Sequence, residues 1–202
     1  MGVALPLPPD PDTTDHFVYL RGVPWDEYQR LLALRGEGGA PRMTYLRGVL
    51  ELMAPSKYHE GDKTKLARLL EAWADEVGVE LEGYGSWTLE SREHERGAEP
   101  DECYCIARTA ENDDDRPDLA IEVVWTSGGI DKLEVYRKLG VAEVWFYERG
   151  SLRFVALHGE AYGEIERSGL LPACDPAVLV RAMAEPTQSA AVKALRAAMR
   201  RG

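Results

Sequence analysis

Basic charge is what this chain most conspicuously lacks. It carries 24 Lys and Arg against 35 Asp and Glu, a formal net charge of −11. Proteins that coat nucleic acid draw most of their affinity from phosphate neutralisation and counterion release. The composition argues against that class, so any nucleic-acid contact must be local, metal-assisted or concentrated in an oligomer. Cysteine is scarce as well, at three residues, with Cys103 and Cys105 two apart in one apolar run. An odd, closely spaced set does not make a disulfide framework; it predicts a reduced, cytoplasmic protein. No apolar run approaches the roughly 20 residues of a membrane span. The opening MGVALPLPPDPDTTD has no basic region, and proline breaks its short apolar stretch, so it does not read as a secretory signal. Internal repeats and low-complexity tracts are also missing.

What is present suits one α/β domain. Of 202 residues, 45% are hydrophobic and 29% charged, ordinary values for a globular protein with a sizeable core. Residues 1–22, rich in Pro and Asp at their start, are expected to form a flexible arm, and 23–202 a single domain. VPWDEYQRLLALRGEGG predicts a short helix stopped by its glycines. RMTYLRGVLELMAP predicts a hairpin turning at Arg47-Gly48, with Val49, Glu51 and Met53 on one face of its second arm. Ser56 is suited to cap a long helix over 56–76, closed by Gly78. His59 lies seven residues before Leu66, on that helix's apolar face. VELEGYGSWTLE reads as one strand bent at its glycines, and SREHERGAE as a polar connection. A C-terminal hairpin turning at His158-Gly159 and two further helices close the chain.

The stretch over 99–138 organises the rest. PDECYCIAR predicts a strand with Asp101 on the cysteine face. DLAIEVVW is apolar on both sides, the mark of a central strand covered twice, and Glu122 falls inside it. An unpaired carboxylate there costs several kcal/mol unless cations or donors satisfy it, which makes Glu122 the most informative residue in the sequence. The helix IDKLEVYRKLG and the strand AEVWFYERG follow, a right-handed crossover with parallel strands. Lys132, Tyr136 and Leu139 share the helical face turned toward the sheet.

Two carboxylates and an ammonium at one sheet end can hold a hard divalent ion and assist water attack on a phosphodiester. As residue types alone they are common, and solvated strand ends are the plain alternative. Glu51 reads equally as a solvent-facing strand residue, and His59 as a satisfied structural histidine. Cys103, Cys105 and His94 lack zinc spacing. Thr126-Ser127-Gly128-Gly129 lacks the spacing and lysine of a phosphate-binding loop and reads as a turn that opens a helix. Lys193, Arg196 and Arg200 form a basic stripe that helix C-terminal electrostatics explains as well as DNA contact does.

The order of elements, with Pro-Asp before one strand and Glu within the next, resembles the PD-(D/E)XK nucleases. YLRGVLELMAPSKYHE, GSWTLESREHERGAEPDECYCI, PDLAIEVVWTS and DKLEVYRKLGVAEVWFY together resemble the Uma-two family of restriction endonuclease-like proteins. The resemblance implies a restriction-endonuclease-like α/β core, a mixed central sheet flanked by helices. It implies a Mg²⁺- or Mn²⁺-dependent endonuclease acting on DNA. Asp101 and Glu122 would hold the metal, Lys132 would assist catalysis, and Glu51 and His59 would be auxiliary. Val124 stands where the superfamily places its lysine, and the resemblance implies that Lys132 on the following helix would take that role. Asp118, in a second Pro-Asp, would lie about 13 Å along the strand from Glu122. A homodimer supported by exposed Trp and Tyr on the hairpin or terminal helices would suit two-strand cutting. The main alternative is a catalytically silent nuclease fold that binds a partner or nucleic acid, or serves as a scaffold; a third reading is a metal-dependent hydrolase of small phosphodiesters.

Overall fold

A computed structural model describes residues 14–36, 38–112, 115–125 and 129–200. The elements follow local sequence closely. The strand β1 (His16–Arg21) precedes α1 (Trp25–Arg35), which starts after Pro24 and stops at Gly36. The hairpin β2 (Arg42–Leu46) and β3 (Val49–Ala54) turns at Arg47 and Gly48, both at positive φ. In α2 (Lys57–Val77) the Ser56 hydroxyl accepts from the His59 N–H at the N-terminus, and Gly78 ends the helix in the left-handed conformation, a cap worth about 1 kcal/mol.

β4 (Leu81–Gly83), β5 (Leu89–Ser91) and β6 (Arg96–Ala98) are short. β7 (Glu102–Ile106), β8 (Leu119–Val124), α3 (Lys132–Leu139) and β9 (Glu143–Glu148) follow, then the hairpin β10 (Ser151–His158) and β11 (Ala161–Ile165). The chain ends in α4 (Pro176–Met183) and α5 (Gln188–Met199).

The strands form two sheets. One is five-stranded and antiparallel, ordered β1-β3-β2-β6-β5; the other is six-stranded and mixed, ordered β11-β10-β9-β8-β7-β4. In the mixed sheet β8 and β9 run parallel, joined by α3. Leu119, Ile121 and Val123 of β8 pack with α2, α4 and α5, whereas Ala120 and Val124 pack with α3 and with Leu89 and Ala98 of the other sheet. The central strand is therefore covered on both faces, as its two-sided apolar pattern requires.

Three expectations are corrected. The N-terminal arm expected over 1–22 contains β1, paired to β3 along its full length; residues 1–13 lie outside the described residues. VELEGYGSWTLE is two strands in different sheets, because the chain turns at Gly85, whose φ of +60 suits glycine. The polar SREHERGAE contains β6, where Arg96 is buried and donates to the Glu134 carbonyl at 3.0 Å and to its carboxylate at 2.5 Å. That pairing lets a charged segment enter a sheet. Among the described residues no helix is long and apolar enough to cross a membrane.

Candidate active site

Glu122 is 3% exposed on β8. Burial of its charge is offset by two donors from α3: Lys132 Nζ lies 2.6 Å from Oε2, and the Tyr136 hydroxyl donates to Oε1. Lys132 and Tyr136 are four residues apart, so one helical face delivers both. Burial, and then the Glu122 charge, hold the Tyr136 phenol well above its usual pKa; it stays a neutral donor. Lys132 keeps one edge open to solvent, at 21% exposure.

Asp101 sits immediately before β7 with no exposed surface. Its N–H donates to the Ile121 carbonyl at 3.2 Å, and its Oδ2 accepts from the Val123 N–H at 2.6 Å. Asp101 thus grips the β8 backbone on both sides of Glu122. Its other oxygen, Oδ1, lies against the Arg42 guanidinium and 3.0 Å from His59 Nε2, but accepts no hydrogen bond of proper geometry. His59, fully buried on α2, turns Nδ1 to Asp15 Oδ2 at 3.1 Å. Asp15 in turn accepts from the Ser56 N–H at 2.9 Å. An Asp15–His59–Asp101 chain therefore runs from the segment before β1 to the edge of β8.

Glu51 is also buried, opposite Thr44 and Tyr19 in the five-stranded sheet. Its Oε2 accepts from the Gly129 and Ile130 N–H groups at 3.0 and 3.4 Å, the residues leading into α3. A cavity of about 250 Å³ between the sheets is lined by Glu51, Glu122, Lys132, Arg42 and Arg153, among others. Of the five residues singled out from sequence, Glu51, Glu122 and Lys132 meet at this cavity. Asp101 and His59 lie behind its wall, linked to it through Arg42.

For a hard divalent ion the donor chemistry fits at Glu122, which offers carboxylate oxygens to the cavity. Asp101 Oδ1, a buried acceptor without a well-formed hydrogen bond, lies behind the wall against Arg42 and reaches the cavity only if that pair opens. Among the described residues no group of three or more His, Cys, Asp or Glu side chains is arranged to hold a metal. Magnesium needs fewer, since one or two carboxylates, waters and substrate phosphate complete its shell.

The other candidates go elsewhere. The Cys103 thiol points to the Gly85 carbonyl and that of Cys105 to the Arg116 carbonyl. Burial pushes the Cys103 thiol up to about 12, so it is no thiolate. Asp118 accepts from the Ile106 N–H and from Arg108, at 2.8 and 3.0 Å. Arg196 of the basic stripe pairs with Glu76 at 2.8 Å. Thr126, Ser127 and Gly128 lie outside the described residues. Large exposed apolar side chains occur on β1 (Val18, Tyr19, Leu20) and in the stacked pair Tyr58–Trp125. Among the described residues none lies on the β10–β11 hairpin, α4 or α5, contrary to the expected dimer surface; Tyr162 on β11 instead donates to the Val141 carbonyl.

Sequence reasoning missed Arg42, Tyr136 as a Glu122 partner, and Asp15. Arg42 was within reach: Thr44 faces Glu51 in the hairpin register, and Arg42 lies two residues along the same face. Tyr136 stood on the face assigned to Lys132. Asp15 gave no signal, being one of several aspartates in a proline-rich segment.

Two sheets, a twice-covered central strand and a buried carboxylate held by lysine describe a mixed α/β protein with a polar site on its central strand. A family model described as "Uma2: Putative restriction endonuclease" matches residues 25–183, and the chain belongs to that family. Among solved structures it is similar to "a putative nuclease belonging to DUF820" from Anabaena variabilis ATCC 29413. The identity is 12% and the TM-score 0.46, over 85% of this chain and 98% of that one. No curated protein matches.

Proposed function

We propose that the chain is a Mg²⁺- or Mn²⁺-dependent endodeoxyribonuclease, with Glu122 and Asp101 holding the ion and Lys132 serving the attacking water. The observation that carries this reading is Glu122, a carboxylate buried in the central strand at a cavity wall, with Lys132 Nζ at 2.6 Å. Membership of the Uma2 family supports a nuclease in general. When bound, the ion supplies Lewis acidity and a more acidic water.

The chain's own residues divide the remaining work. Lys132 orients water and meets the charge that develops on the phosphoryl oxygens. Tyr136 fixes the rotamer of Glu122. Glu51 holds the backbone two and three residues before Lys132 and so sets where α3 begins. Arg42 and His59 orient Asp101 from behind.

The test incubates single- and double-stranded DNA with the wild type and Glu122→Gln, in Mg²⁺ and in EDTA. Cleavage that needs Mg²⁺ and disappears in the variant is expected; equal cutting by both proteins overturns the reading. One observation favours a second reading, a nuclease fold that binds without cutting. Both Glu122 oxygens and the Asp101 carboxylate already face positive or donor groups of the chain, so the site is neutralised from within. Such a protein would bind DNA or another partner equally well before and after the Glu122→Gln change, and would cut in neither form.

A further inference from the structure

One cation at the cavity takes no part in holding the ion or serving the water. Lys132 is paired with Glu122, and Arg42 with Asp101 and Glu60. Arg153 on β10 also lines the cavity, is exposed, and forms no ion pair among the described residues. Its guanidinium carbon lies 4.5 Å over the Phe146 ring.

The sheet explains this placement. Register pairs Glu122 with Phe146 across β8 and β9, and Phe146 with Arg153 across β9 and β10. Directly opposed residues project from the same face, so carboxylate, ring and guanidinium form one row across three strands. At about 4.8 Å per strand, the Arg153 backbone lies roughly 10 Å from that of Glu122, and its long side chain can reach a phosphate next to one held at Glu122. The ring holds the guanidinium plane by cation–π attraction, leaving its donor fork without a carboxylate. In a chain of net charge −11, a cavity-lining arginine without a carboxylate is a ready receptor for an outside anion. A planar fork fits the two nonbridging oxygens of a phosphate better than a point charge does.

We propose that Arg153 is a phosphate-binding residue, gripping a DNA backbone phosphate adjacent to the one presented to Glu122. This rests on the nuclease reading of the same cavity and adds the subsite that sets the strand's register. It also supplies the local basic contact that an acidic nuclease needs.

The experiment measures binding of a fluorescein-labelled oligonucleotide in EDTA across a salt series, for wild type, Arg153→Gln and Arg153→Lys. Cleavage in Mg²⁺ and thermal melting are followed in parallel. Arg153→Gln is expected to raise Kd about tenfold and reduce the salt slope by about one, with an almost unchanged melting temperature because the side chain is exposed. Arg153→Lys should restore the slope and only part of the affinity. Wild-type Kd and slope in Arg153→Gln would overturn the proposal, and wild-type cleavage in the same samples would leave the nuclease reading standing. A lower melting temperature with an unchanged slope also overturns it, since Arg153 would then be only structural. If the wild type neither binds nor cuts, both readings fall together.

Discussion

Two buried glutamates on neighbouring parallel strands have opposite surroundings. Glu122 on β8 and Glu143 on β9 are each 3% exposed. Glu143 accepts from four neutral donors: the Gly169 and Leu170 N–H groups at 2.6 and 3.1 Å, Ser168 Oγ at 2.6 Å and Trp145 Nε1 at 3.1 Å. Those bonds tie residues 168–170 to the sheet and occupy both oxygens with groups fixed by the fold. Glu122 has one ammonium and one phenol, both on the ends of side chains, and a cavity beside it. A carboxylate saturated by four neutral donors, two backbone N–H groups and two buried side chains, is a structural tie. One held by exchangeable side chains at a cavity wall can take a ligand. Burial alone does not separate the two; the identity of the donors does.

The largest expected effect breaks this comparison at Glu122. Glu122→Gln keeps the volume and both neighbours but loses the charge, and should lower DNA cleavage about 10³-fold or more. Its melting temperature should change little, checked by initial rates and thermal scans on one preparation. Glu143→Ala should do the reverse. It strands several buried donors at once and should destabilise the fold by about 3 kcal/mol in urea titrations, while the folded fraction keeps its metal affinity. Lys132→Ala should lower kcat about 10²-fold with a smaller effect on KM, read from steady-state kinetics. Tyr136→Phe, which removes one donor from Glu122 and keeps the ring, should cost about tenfold or less in rate.

The smallest effect concerns acid stability. Burial raises the Asp15 pKa, but hydrogen bonds from His59 and Ser56 outweigh it and hold the carboxyl below its usual value. A group depressed in the fold stabilises it above the unfolded value of about 3.9. That contribution disappears as pH falls through the folded value. Asp15→Asn should therefore lower the urea midpoint at neutral pH and flatten its fall below about pH 4.

Much of the fold was legible in the sequence because its signals are local. The Arg47-Gly48 turn, the Ser56 and Gly78 caps and the β8–α3–β9 crossover follow from neighbouring residues. Non-local pairing was not legible. β1 is a strand because β3 offers it an edge, and β6 because Arg96 finds Glu134. The same limit applies to the site. Glu122 stood out as a charge within a two-sided apolar run, whereas Glu143, at a strand's first position, drew no attention despite equal burial. Arg153 carries no signal in the sequence, since only the register of three strands sets it in line with Glu122. Asp15 became relevant only once the fold brought His59 to it.

The most direct test of the contrast is calorimetric titration of Mg²⁺ or Mn²⁺ into three proteins, with and without an oligonucleotide. These are the wild type, the Asp101→Ala/Glu122→Ala double variant and Glu143→Gln. Binding is expected to the wild type and to Glu143→Gln, and none to the double variant. Equal heats in all three, or none in any even with the oligonucleotide present, would contradict the assignment of Glu122 and Asp101 as the metal site.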